Sequence, residues 1–196
     1  MNRNIVLCGV GGQGTVLAAK LIAQAAMLKG YQVMSAETIG MAQRGGSVFS
    51  FVRFGDKVLS PMIGRSEADV IIAFEPAEAA RVLPMLKKGG TVITASHAVQ
   101  PVTATLQGGG YDVQAVLEYL KKQVQTLLII DTEAAFEKLG SSKVMNTLLL
   151  GTALKTAQIG LEREDVWQAI LCHVPERFHE MNHKALFYEQ EGEKFK

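Results

Sequence analysis

The sequence predicts a Rossmann-like α/β domain: a mostly parallel sheet with helices on both faces, an inserted hairpin and a helical C-terminal quarter. Three observations carry that prediction. An apolar strand, Ile5-Val6-Leu7-Cys8, runs into a turn with four glycines in the six positions from Gly9 to Gly14, and a helical pattern follows from Thr15. Strand-like and helix-like stretches then alternate as far as Ile130, the pattern of successive βαβ units. Beyond Glu133 only helical patterns remain.

Taken in order, Leu17, Leu21, Ile22, Ala25 and Leu28 recur at helical spacing, so that one face of the first helix is expected to be apolar, and Gly30 ends it. Tyr31 to Ala36 reads as a second strand, with Glu37 at its C-terminal end, where a dinucleotide site places an acid against ribose hydroxyls. Thr38 to Ser47 is a loop with three glycines, and Val48 to Phe54 is strand-like. Gly55-Asp56 suits a hairpin turn into a short strand near Val58, which Pro61 breaks. Asp69 to Phe74 is the next strand, and Pro76 opens a helix reaching about Leu86. Gly89-Gly90 precedes a strand from Thr91 to Ala95. Ser96 to Gly110 is the longest irregular stretch. Asp112 caps a helix to Gln123, and Thr126 to Ile130 is the last strand. Helical patterns cover Glu133 to Leu139, Lys143 to Ile159 and Glu164 to Val174, and Pro175 sets off a terminal helix. No repeat or low-complexity tract divides the chain, so residues 1–196 read as one domain.

Composition narrows the function. With 196 residues, 48% of them hydrophobic, the chain can bury a sizeable core. A net charge of +1 gives no electrostatic reason to expect nucleic acid or an anionic membrane surface. No apolar run approaches the roughly 20 residues that span a bilayer, and no signal-peptide layout is present, so a cytoplasmic location is expected. The two cysteines, Cys8 and Cys172, are too few to ligate an iron–sulfur cluster and are expected as buried, reduced thiols.

The glycine turn is the first candidate site. Gly9-x-Gly11-x-x-Gly14 matches the dinucleotide fingerprint, and strand, turn and helix occur in the required order. The following helix directs its unpaired N–H groups and positive dipole end into that turn, which suits an anion such as phosphate. Gly12 and Gln13 put a polar amide where many nicotinamide-binding turns carry small apolar residues, so Gln13 is expected to make a specific hydrogen bond. The second candidate is Gln43-Arg44-Gly45-Gly46. The strand ends of an open α/β sheet form the ligand edge, so Arg44 and Gly11 to Gly14 are expected on one rim, where a guanidinium grips phosphate or carboxylate in bidentate fashion. A solvated surface arginine is the alternative.

Two further motifs read as chance. His179-Glu180-Met181-Asn182-His183 matches the zinc-protease pattern H-E-x-x-H. The metzincin continuation needs glycine and histidine at positions holding Leu186 and Glu189, so no metal site is expected. Cys172-His173 are adjacent on a helix and point in different directions, which makes a poor nucleophile–base pair.

With these residues in view, the chain resembles the gamma-type subunit of 2-oxoacid:ferredoxin oxidoreductases, most of all the beta subunit of the indolepyruvate enzymes. The resemblance is carried by Gly9-Val10-Gly11-Gly12-Gln13-Gly14 and by Gly40-Met41-Ala42-Gln43-Arg44-Gly45-Gly46-Ser47-Val48. Ala68-Asp69-Val70, Glu75-Pro76, Gly89-Gly90-Thr91-Val92, Asn146, Leu150-Gly151 and Asn182-x-x-Ala185 complete it. Leu186 before Phe187, and Ser141-Ser142, depart from the pattern. The resemblance implies decarboxylation of a 2-oxoacid on thiamine diphosphate, passage of electrons through 4Fe-4S clusters to ferredoxin, and transfer of the acyl group to coenzyme A. It places the thiamine diphosphate and the clusters on partner subunits, with no cofactor held by this chain alone. On that picture Gly9, Gly11, Gly12, Gln13, Gly14, Gln43, Arg44, Gly45 and Gly46 face a partner's cofactor or the coenzyme A phosphates. No covalent step falls on this chain, and the chain is inert by itself. An arylpyruvate is the substrate implied. Two other readings stand beside this one: a free-standing NAD(P) oxidoreductase, which would explain the fingerprint and Glu37, and a non-catalytic binding or assembly module.

Overall fold

The computed structural model describes residues 2–38, 46–98 and 111–190. Six strands form one mixed sheet: β1 (Arg3–Val10), β2 (Gln32–Glu37), β3 (Ser47–Gly55), β4 (Ala68–Ala73), β5 (Leu86–Ala95) and β6 (Thr126–Ile130). Their order is β2-β3-β1-β4-β5-β6. The run β1-β4-β5-β6 is parallel, whereas β3 lies antiparallel to both β1 and β2. The first βαβ pattern therefore does not close on adjacent strands, because β3 is interposed. The hairpin is made by β2 and β3, not by Gly55-Asp56, and residues around Val58 form no strand. β2 still runs in the direction of β1, so all but one of the strands agree with the predicted parallel sheet.

Seven helices flank the sheet among the described residues: α1 (Thr15–Leu28), α2 (Pro76–Val82), α3 (Val113–Gln123), α4 (Thr132–Leu139), α5 (Met145–Ala153), α6 (Arg163–His173) and α7 (His179–Leu186). Period-two alternation divides each strand between two cores. Ile5 and Leu7 of β1, with Val52 and Phe54 of β3, face α1 and the C-terminal helices. Val6 and Cys8, with Phe51, face the side covered by α2 and α3. β4 is buried along its whole length, as expected for a parallel strand covered on both faces.

The first helix shows how packing overrides a simple apolar count. Its buried positions are Thr15, Ala18, Ala19, Leu21, Ile22, Ala25 and Ala26, while Leu17 and Leu28 are exposed. Small alanines let the helix approach the sheet closely, and this turns both leucines outward. Other boundaries shift as well. α2 ends at Val82 in a 3-10 turn (Leu83–Met85), and β5 begins at Leu86, so Gly89-Gly90 lies within a strand. The pattern from Lys143 to Ile159 resolves into a 3-10 turn (Ser142–Val144) and α5, which stops at Ala153. Most of the irregular stretch from Ser96 to Gly110 lies outside the described residues.

α5 and α7 meet with no room to spare. A Cβ on Gly151 would lie 2.2 Å from the carbonyl oxygen of Leu186. Thr147 Oγ1 donates to Asn182 Oδ1 at 2.6 Å, and Asn182 Nδ2 donates to Phe178 O at 2.9 Å, which sets the register of the pair. The Asn182 element thus docks the last helix on α5. His183 of the H-E-x-x-H sequence stacks on Phe187 at 4.6 Å and meets the edge of Trp167 at 4.8 Å. His179 Nε2 lies 2.7 Å from Val174 O. Both imidazoles are engaged in packing α7 against α6.

Candidate functional site

The ligand edge of the sheet lies where β1 and β4 end and β3 begins. Gly12 and Gly14 take the left-handed φ values of +99° and +88° that a side chain disfavours, and Gly14 is the N-cap of α1. Gly14 has no side chain to cap the helix, so among the described residues the first-turn N–H groups receive no carboxylate or hydroxyl from their N-cap. That is an electrostatically suitable cradle for an anion.

The turn is anchored on both sides. Gly11 N–H donates to Gly46 O at 3.0 Å, which ties it to the start of β3. Gln13 makes the specific hydrogen bonds expected of it, and it makes them internally: Oε1 accepts from Val10 N–H at 2.7 Å, and Nε2 donates to Phe74 O at 3.2 Å. Its amide clamps the end of β1 to the end of β4. This clamp explains Gly9, since a Cβ there would lie 2.6 Å from Gln13 Oε1 and 2.8 Å from Phe74 Cβ. Gly9, Gly11, Gly12, Gln13, Gly14 and Gly46 thus gather on one rim. Gln43, Arg44 and Gly45 lie outside the described residues.

Glu37 ends β2 as expected, but β3 separates it from β1. In the ladder Glu37 pairs with Ser50, and Ser50 pairs with Leu7. The acid therefore stands two strand spacings, about 9–10 Å, from β1 instead of one. It does not occupy the ribose position of a dinucleotide site.

Two buried acids, Glu75 of the Glu75-Pro76 pair and Glu78, lie beneath the rim. Glu75, only 2% exposed, is the N-cap of α2: its Oε2 accepts from Glu78 N–H at 3.0 Å, and Pro76 follows at the first helical position. Its Oε1 is buried and has no hydrogen-bond partner among the described residues. Glu78, also buried, accepts from Ser47 Oγ at the start of β3 and pairs with Arg81 at 3.3 Å. A polar chain thus leads from α2 through Ser47 and Gly46 to the glycine turn. Burial pushes the Glu75 carboxyl up to about 7, and the charge of Glu78 adds to the push. N–H groups of Glu78 and Ala77, and the charge of Arg81, pull the other way. The sequence signal was present as an acid directly before a helix-opening proline, which is an N-cap pattern. What the pattern lacks is any indication of depth.

Cys8 lies under the same acids. Burial first, then the charges of Glu78 and Glu75, raises its thiol well above the ordinary range, which leaves it without thiolate character. Cys172 is exposed, contrary to expectation, because the buried face of α6 is formed by Val166, Ala169 and Ile170. Among the described residues, no group of three or more histidine, cysteine, aspartate or glutamate side chains is arranged to hold a metal ion. None of their helices is long and apolar enough to cross a membrane.

Glu75 has a measurable consequence. A carboxyl ionises near pH 4.3 in an unfolded chain, but only near 7 in this site. Between those values the unfolded chain alone has released the proton, so stability falls as pH rises across the window. The contribution is full below the lower value and lost above the upper one. Glu75→Gln keeps an oxygen to cap Glu78 N–H and removes the ionisation. The variant is expected to exceed the parent in stability by about 1–3 kcal/mol at pH 8 and to show no such gain near pH 4. Urea unfolding at both pH values checks this, and equal stability at pH 8 would contradict the assignment.

Together, the glycine turn, the N-terminus of α1 and the buried acids Glu75 and Glu78 meet at one edge of the sheet of an α/β domain. The chain belongs to the pyruvate ferredoxin/flavodoxin oxidoreductase family, whose model matches residues 4–187. It is 39% identical over 187 residues to the indolepyruvate oxidoreductase subunit IorB of Pyrococcus horikoshii, an alignment covering 93% of this chain and 91% of that protein. It is 34% identical over 165 residues to the pyruvate/ketoisovalerate oxidoreductases common subunit gamma of Thermococcus litoralis, covering 83% and 81%. The fold is shared with the crystal structure of the gamma subunit of a keto/oxoacid ferredoxin oxidoreductase from Geobacter sulfurreducens. That match has a TM-score of 0.70 and 25% identity, and covers 95% of this chain and 93% of that one.

Proposed function

We propose that this chain is the gamma-type subunit of a 2-oxoacid:ferredoxin oxidoreductase whose substrate is an arylpyruvate such as indolepyruvate. The observation that carries the reading is the 39% identity to an indolepyruvate oxidoreductase subunit over nearly the whole of both chains. The anchored glycine turn at the ligand edge supports it. Thiamine diphosphate and 4Fe-4S clusters on partner subunits supply decarboxylation and electron transfer to ferredoxin, and coenzyme A takes up the acyl group.

In this reading the chain completes the coenzyme A side of the active site from a single domain in the cytoplasm, and is inert alone. The turn from Gly9 to Gly14 receives a phosphate at the N-terminus of α1, with Gln13 holding the turn in shape. Gly46 lies beside the turn, and its sequence neighbours Gln43, Arg44 and Gly45 are assigned to the same ligand, with Arg44 supplying the charge. Glu75 suits this role when protonated, because a neutral carboxyl beneath the rim does not repel an incoming anion.

The test begins with co-purification of the tagged chain from its native cell, followed by iron, sulfide and thiamine assays. A large partner carrying all three is the expected result, and a partnerless, cofactor-free chain would favour a binding module. In the assembled complex, Arg44→Ala is expected to raise the KM for coenzyme A by about ten- to a hundredfold, the loss of one charge-assisted contact. The KM for the 2-oxoacid should not change. Unaltered coenzyme A dependence would remove Arg44 from the site.

A further inference from the structure

The two edge strands of the sheet are finished differently. At β6 the chain covers its own edge: Gln190 Oε1 accepts from Asp131 N–H at 2.9 Å, and Gln190 Nε2 donates to Ile129 O at 3.4 Å. A further strand would engage these same outward groups, and the side-chain amide stands in for its peptide. At the other edge, β2 pairs with β3 alone. Thr38 N–H donates to Phe49 O across that ladder, so by alternation the backbone groups of Val33, Ser35 and Glu37 point away from β3. Among the described residues nothing pairs with them.

An open edge is usually blunted by lysine, proline or a bulge. Gln32–Glu37 carries neither residue, and its register with β3 is unbroken. Apolar surface surrounds it instead. Met34 is exposed on the strand, Met27 and Leu28 where α1 leads into it, and Leu59 and Met62 in the segment after β3. That segment is tied to the same strands: Val58 N–H donates to Gln32 Oε1 at 3.4 Å, and Arg53, the ladder neighbour of Met34, donates from Nη1 to Met62 O at 2.7 Å. Among the described residues these are five of the eight exposed large apolar side chains, so apolar exposure is concentrated at this edge.

We propose that this edge binds the same edge of a second copy of the chain, joining two sheets through β2 about a two-fold axis. The strand is complementary to itself. With the axis at Ser35, antiparallel pairing sets Ser35 beside Ser35, Met34 beside Ala36 and Val33 beside Glu37. The outward backbone groups then face one another, each N–H meeting a carbonyl. Met34 and Ala36 lie on the face that carries Phe51 and Arg53, so their pairing continues that face across the junction. Glu37 is the one charge on the strand, and opposite Val33 it meets no like charge. The inference is independent of what binds at the glycine turn, which follows β1 on the far side of β3.

The full chain is followed by sedimentation across a concentration series, and a monomer–dimer equilibrium is expected. Ser35→Pro removes an N–H that makes no bond within the chain, and Met34→Lys puts a charge on the edge. Each should weaken dimerisation about tenfold or more and leave the far-UV circular dichroism unchanged. Ser35→Cys in a Cys172→Ser background should give a disulfide-linked dimer on mild oxidation, because opposed residues of this kind have Cα atoms about 5.5 Å apart, within disulfide reach. Gln32→Cys, which this register holds away from its copy, should not. A parent chain that is monomeric throughout overturns the proposal, as does a dimer that tolerates both edge substitutions and gives no Ser35→Cys link. In the complex assembled with partner subunits the same copy-to-copy link is expected. A complex that shields the Ser35→Cys thiol and forms no such link would assign the edge to a partner's strand and overturn the self-pairing.

Discussion

Gly151→Ala is expected to cost more than about 3 kcal/mol of stability, at the upper end of what overpacking does. The added methyl would meet the Leu186 carbonyl oxygen at 2.2 Å, its carbon at 2.8 Å and its Cα at 3.0 Å. All three belong to backbone, so no side chain can rotate away, and the only relief is to separate α5 from α7. Separation would break the Thr147–Asn182 hydrogen bond and open the contact around Ala185 and Leu186, both fully buried. It would also loosen Arg163, whose Nε donates to Gly151 O at 3.1 Å. Urea unfolding should show the loss, and an unchanged midpoint would mean that the two helices pack less closely than described.

Gly9→Ala is expected to have the second largest effect, and to act on the site more than on the core. Its methyl would meet Gln13 Oε1 at 2.6 Å and Phe74 Cβ at 2.8 Å. The amide can swing away, but only by giving up Val10 N–H and Phe74 O, the two contacts that hold the turn. The expected cost is about 1–3 kcal/mol for the overpacking, with a lost clamp of about 1 kcal/mol per hydrogen bond within it. Ligand binding at the turn should fall about tenfold or more, since the N–H groups are re-aimed. Gln13→Ala makes the comparison informative. It removes the clamp without the clash, so it should reproduce most of the binding loss with a smaller loss of stability. If Gly9→Ala binds pyrophosphate as the parent does, the turn does not need its present shape.

Much of this was legible in the residues themselves. All six strands, the glycine turn and the cap at Asp112 follow from local pattern, because a buried strand, a positive φ and a capping carboxylate each leave a signature within a few residues. The beginning of β5 was harder to read: Leu86, Lys87 and Lys88 continue a helical pattern, and only pairing with β4 makes them strand. Cys172 and the two leucines at the ends of α1 were misread for a related reason. Periodicity locates a face, but which face turns inward depends on the surface it meets.

The sequence by itself determined the α/β class, the glycine turn at the end of β1 and, through family-wide identity, membership in the pyruvate ferredoxin/flavodoxin oxidoreductases. These rest on local backbone chemistry and on residue identity, which a linear chain carries in full. The tertiary structure alone decided the insertion of β3 between β1 and β2, which moves Glu37 away from the turn. It also decided that Gln13 clamps two strand ends and that Glu75 and Glu78 share a buried floor. The contacts that build the site join distant residues: Gln13 reaches Phe74, Ser47 reaches Glu78, and Asn146 packs on Gly14. Burial depth and shifted proton affinity arise only when distant segments exclude water from the same place.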